Sequence, residues 1–148
     1  MGRTVGTKQE IKRIEKWREP FSDTVDSLYR EPFKWGENDC AIGLVRKLII
    51  ATTGKDLAKE YEGTYLDAKT GFRVMKKAGF DNLADLVASI LPEIHLSQAK
   101  IGDIAAIATD DGFGYALGVV NGERVIVLTE KGIGSVDIFN AARFFKVG

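Results

Sequence analysis

The stretch PFKWGENDCAIGLVRKLI, residues 32–49, decides how the chain is read, because its one cysteine stands where a turn runs into an apolar helix. Pro32, Gly36, Glu37, Asn38 and Asp39 carry turn and helix-start chemistry, and Ile42, Leu44, Val45, Leu48 and Ile49 then recur at helical spacing. That places Cys40 in the first helical turn. Unpaired backbone N–H groups and the positive end of the helix dipole favour an anion there, which lowers a thiol's pKa and supplies a nucleophile near neutral pH. A free cysteine is also among the most buried residue types and serves as a small hydrophobe. Position alone therefore leaves two readings of Cys40, nucleophile or core filler.

Outward from this stretch, the N-terminal two thirds of the chain read as helices. Ile11, Ile14 and Trp17 have helical spacing and predict an amphipathic helix from Glu10 that Pro20 interrupts, with Val25, Leu28 and Tyr29 continuing the apolar face on a second short helix. Residues up to about Lys8 read as a flexible arm. Gly54 should stop the cysteine helix near Thr53. A loop with Tyr61 and Tyr65 follows, then a helix with Phe72, Val74 and Met75 ending at Gly79, and a capped helix in DNLADLVASIL with Leu83, Leu86, Val87 and Ile90 inward. After Gly102 the pattern changes to short β-rich runs, DIAAIAT, YALGVV, RVIVLT, IGSVDI and ARFFKV, with Asn121-Gly122 as a hairpin turn. Helices first and strands afterwards define an α+β domain, with N-terminal helices packed on a C-terminal antiparallel sheet that is curled or closes as a small barrel.

At 148 residues, with 45% hydrophobic and 28% charged, the composition is that of one domain with a full core, so residues 1–148 form a single unit. Twenty-one basic and 21 acidic residues cancel, which argues against a nucleic-acid partner or an anionic membrane surface. One cysteine excludes an internal disulfide, and no Cys/His cluster supplies metal ligands, so neither metal nor cofactor is expected. The opening MGRTVGTKQE lacks the apolar core of a secretory leader and no run reaches membrane-spanning length, so synthesis in a cytoplasm without a membrane anchor is expected.

Three landmarks in order carry a resemblance. FKWGENDCAIGLV resembles the opening of NlpC-type, papain-like cysteine peptidases, whose cysteine attacks peptidoglycan stem peptides. IGDIAAIA, residues 101–108, resembles the Gly-Asp that opens the first strand of their sheet. YALGVVNGERVIVL resembles the strand that carries the catalytic histidine before a Gly-hydrophobic pair. With the closing ARFFKVG, the set resembles a compact family of NlpC-like phage tail proteins, from about Trp17 to the end. The resemblance implies a virion tail protein, at the tail tip or baseplate or in tail assembly, with other tail proteins as partners. Made in the host cytoplasm, it would be mainly structural. It equally carries an alternative, an active peptidoglycan hydrolase with Cys40 as nucleophile and a stem peptide as substrate.

One departure separates these. Where the peptidases place histidine the chain has Ala116 and Leu117, preceded by Tyr115, and the residue that would orient it falls near the apolar Val127 or Leu128. A tyrosine with a pKa of about 10 cannot be the resting base. The sole histidine, His95, lies ahead of the first strand and would act only through a rearranged dyad; otherwise it is a surface or capping residue. Trp35 is either a wall of the cleft or an anchor for the turn, Gly36 supplies positive φ or close approach, and Asp39 is a helix-start residue.

Overall fold

A computed structural model describes residues 11–148, so the proposed arm over residues 1–8 lies outside the described residues. Helix α1 spans Arg18–Leu28. The cysteine helix begins as a widened π-helical turn, Cys40–Val45, and runs on as α2, Arg46–Thr53. It is followed by α3, Ala68–Lys77, and α4, Leu83–Ala88. The strands are β1 (Glu93–Ile94), β2 (Ile104–Ala108), β3 (Tyr115–Asn121), β4 (Arg124–Thr129), β5 (Gly132–Asp137) and β6 (Arg143–Phe145). All pairings are antiparallel, and the spatial order is β1-β6-β2-β3-β4-β5.

The α+β order is as the sequence predicts, but the sheet is open, with β1 and β5 as its two edges, and does not close into a barrel. Strand alternation gives it two apolar faces. Ile104, Ala106, Leu117, Val119, Ile126 and Leu128 meet Leu44, Val45, Leu48 and Ile49 of the cysteine helix in the main core. Ala105, Val120, Val125, Ile138 and Phe144 form a smaller cluster on the reverse face.

The N-terminal helices differ from expectation. Pro20 does not interrupt a helix: it sits in the first turn of α1, where its missing N–H has no intrahelical partner to lose. Ile11 and Ile14 precede that helix, and the Ile14 N–H bonds the Thr52 carbonyl. Tyr29 is exposed instead of facing inward. The other helix ends follow local chemistry. Gly54 takes the left-handed conformation that stops α2, Asp67 forms a capping box with Thr70, and Asn82 caps α4 through the Asp85 N–H.

Candidate functional site

The turn before Cys40 is held by two buried polar side chains. Asn38 donates to the Pro32 carbonyl at 2.9 Å, and its backbone pairs with Lys34. Asp39, buried, accepts from the N–H groups of Gly36 (2.9 Å), Ala41 (3.1 Å) and Ile42 (2.8 Å), and from the Tyr65 hydroxyl. Gly36 has φ +79°, and a Cβ there would collide with the Tyr65 carbonyl oxygen, so both reasons for a glycine apply. The helix opens wide because both Gly43 and Leu44 donate to the Asp39 carbonyl, each at 3.0 Å.

These bonds change what the helix start does for the thiol. The donors that would stabilise a thiolate are taken by the Asp39 carboxylate, whose own negative charge stands beside Cys40. Burial pushes the Cys40 thiol up to about 12, with the charges of Asp39 and Asp111 acting in the same direction and a backbone hydrogen bond with Leu117 opposing them. The expected activation of Cys40 is therefore reversed, desolvation outweighing the helix dipole. Tyr65 is likewise held protonated, by burial first, then by the charge of Asp39 and the bond to it.

Cys40 is half-buried and borders an apolar cleft of about 1090 Å³ between the cysteine helix, α3, α4 and the β2–β3 turn. Trp35 is both wall and anchor: it lines the cleft, stacks on Phe113 at 6.2 Å between centroids and meets the edge of Phe33 at 5.0 Å. Tyr115 and Ala116 also line it. On β3, Tyr115 packs with Leu117 into the core beneath the cysteine helix, so the side chain facing the helix at the strand's start is a phenol, with the Arg143 guanidinium 5.7 Å from its ring centre. Leu128 joins this core, while Val127 packs on the reverse face. Neither provides a polar support.

His95 is not brought to Cys40. It is exposed at the end of β1, on the edge of the sheet, where its Nδ1 pairs with the Ser97 hydroxyl at 2.9 Å and accepts the Ser97 N–H, capping a short 3-10 turn. Its neighbours Ile94 and Leu96 pack on the reverse face, the side of the sheet away from the thiol. The capping reading of His95 therefore replaces the rearranged dyad. Sequence reasoning missed Tyr65, Asp111, Phe72 and Phe113 as site residues. Tyr65 meets Asp39 across 26 positions of chain, and no periodicity links two residues so placed.

Among the described residues no group of three His, Cys, Asp or Glu could hold a metal ion, and no helix is long and apolar enough to cross a membrane. The chain matches no curated protein and no solved structure. Residues 12–147 match the family model described as a domain of unknown function, DUF6950. That match takes in the turn, the cysteine helix, the cleft and the whole sheet, and the chain belongs to this family.

Proposed function

We propose that the chain is a phage tail protein, acting at the tail tip or baseplate or in tail assembly, on an NlpC-like papain-type scaffold that is silent as a peptidase. The silence rests on one observation: Cys40 stands among Asp39, Asp111 and Tyr65, with no histidine lining the cleft among the described residues, and its thiol is pushed up to about 12. Nucleophilic attack needs a thiolate, and a thiol held protonated with no histidine beside it does not supply one at neutral pH. The scaffold reading is supported by a cysteine at the start of a helix packed on an antiparallel sheet, its thiol against the β3 backbone at Leu117. The tail assignment rests on the ordered landmarks in the sequence.

Alkylation by iodoacetamide tests the silence, since the chain has a single thiol. At pH 7 the rate should fall roughly three orders of magnitude below that of an ordinary thiol of pKa about 8.5, and should climb about tenfold per pH unit to pH 10 without levelling. A titration with a midpoint below about 8.5 would instead favour the active peptidoglycan hydrolase, with peptidoglycan digestion by wild type and Cys40→Ala as the next comparison. The same shift predicts a stability change. Because the folded state holds the thiol protonated, its contribution is complete below the unfolded pKa of about 8.5 and is lost at up to about 1.4 kcal/mol per pH unit as pH rises towards 12. Urea midpoints between pH 8 and 10.5 should therefore fall more steeply for wild type than for Cys40→Ala.

The tail reading has its own test. In a phage encoding the chain, its deletion should leave filled heads that lack infective tails, and purified wild-type virions should contain the protein by mass spectrometry. Normal tails and titre after deletion would overturn the assignment while leaving the alkylation result untouched.

A further inference from the structure

The floor of the cleft beside Cys40 has almost nothing polar to offer a ligand. Of the two carboxylates near Cys40, Asp39 is taken up by three N–H groups and the Tyr65 hydroxyl, and Asp111 accepts from the Thr109 hydroxyl and the Phe113 N–H. Arg46, on the wall, is paired with Asp56 and Glu62. Among the described residues no buried side-chain nitrogen or oxygen lacks a hydrogen-bond partner. A peptide laid against this surface would strand its own amide groups away from water, whereas a hydrocarbon chain has no such groups to strand.

The mouth has the opposite character. Lys69 and Arg73 stand one helical turn apart on α3, exposed and bordering the cleft, and their charges reach the exposed carboxylate of Asp67. Lys131 and Glu130 border it from the β4–β5 turn, and Asp111 from the β2–β3 turn, where it accepts from the Thr109 hydroxyl and the Phe113 N–H. The α3 side of the mouth thus carries two cations against one carboxylate.

We propose that the cleft holds a free single-chain amphiphile, its hydrocarbon tail against Trp35, Phe72 and Phe113 and its anionic head at Lys69 and Arg73. This deepens the reading of a silent cleft and rests on it, because a neutral thiol adds no further charge beside the hydrogen-bonded carboxylates of Asp39 and Asp111. Dodecanoate below its micellar concentration is the probe, followed by calorimetry. Saturable one-to-one binding is expected, with affinity falling roughly tenfold from dodecanoate to decanoate, as burial of two fewer methylenes requires. Lys69→Glu with Arg73→Glu should weaken decanoate at least tenfold and leave neutral decanol unchanged. Ala68→Trp, an exposed position at the mouth, should weaken both ligands with no change in melting temperature.

No saturable binding, or affinity independent of chain length, overturns the proposal. Dodecyltrimethylammonium binding as tightly as dodecanoate overturns the anionic head. Binding to phosphatidylglycerol vesicles without binding to monomeric dodecanoate overturns the free ligand, and affinity untouched by Ala68→Trp overturns the location. None of these results bears on Cys40 alkylation, so the silent-cleft reading stands or falls separately.

Discussion

Asp39→Ala should lower the free energy of unfolding by about 3–5 kcal/mol, because it orphans several donors at once. The N–H groups of Gly36, Ala41 and Ile42 and the Tyr65 hydroxyl converge on this carboxylate, and Gly36 and Ile42 are buried, so water does not replace it freely. An ordinary cap, with one or two bonds at a helix end in solvent, is worth about 1 kcal/mol, and the excess here comes from burial and from the link to Tyr65. Asp39→Asn keeps one acceptor oxygen and should cost about half as much. Urea denaturation with an unchanged slope separates this from a change in compactness. A second readout is independent of stability. Removing the charge beside Cys40 and freeing N–H groups at the helix start should lower the thiol's pKa, so alkylation of Asp39→Asn should be faster than wild type at pH 8. A loss under 1 kcal/mol with an unchanged alkylation rate would mean that the turn is held mainly by Asn38 and its backbone pairing with Lys34.

This carboxylate also shows what the sequence makes legible. Its place before an apolar helical run identifies a helix-start residue, and the structure places it at the N-cap. The same local chemistry finds the stop at Gly54, the cap at Asn82 and the Asn121-Gly122 hairpin, because each depends on residues within a few positions of one another. The fold class follows for the same reason: helical spacing before Gly102 and strand alternation after it are local patterns. The sheet's closure is different. Whether β1 and β5 meet depends on twist and on pairing across the molecule, and β1, with two residues, is too short to show as a run. The chemistry of Cys40 is non-local too. Helix position alone predicts an activated thiol, yet burial pushes its pKa up, with the charges of Asp39 and Asp111 adding to it and a backbone bond at Leu117 opposing it. Leu117 and Asp111 lie on a strand and a turn some seventy positions away.

Asp103→Ala should be as damaging, at about 3–5 kcal/mol, through a different mechanism. The carboxylate is fully buried and accepts from the Arg13 guanidinium at 3.0 Å, the Val147 N–H at 3.0 Å and the Lys100 N–H at 2.9 Å. Arg13 also donates to the carbonyls of Val147 (2.8 Å) and Ile101 (2.6 Å) and lies over the Trp17 ring at 4.3 Å. The pair thus ties the segment ahead of α1 to the start of β2 and to the end of the chain, closing three distant stretches around the sheet. Burial lowers the Arg13 pKa from its ordinary value, with the charge and hydrogen bond of Asp103 opposing that fall. Truncating Asp103 removes the opposition and leaves a largely covered cation with only the carbonyls of Val147 and Ile101 and no counter-charge, which costs more than the pair itself contributes. Arg13→Met removes the cation and should rescue part of the loss: the double variant Arg13→Met/Asp103→Ala should be less destabilised than the two single losses added together, by roughly 2 kcal/mol. Rescue cannot be complete, because the N–H groups of Val147 and Lys100 still lose their acceptor. Simple additivity in that cycle would show that Asp103 acts through its backbone donors alone. Salt gives a further check, since 0.5 M NaCl should leave the Arg13–Asp103 coupling nearly unchanged while weakening exposed pairs such as Lys76–Asp81.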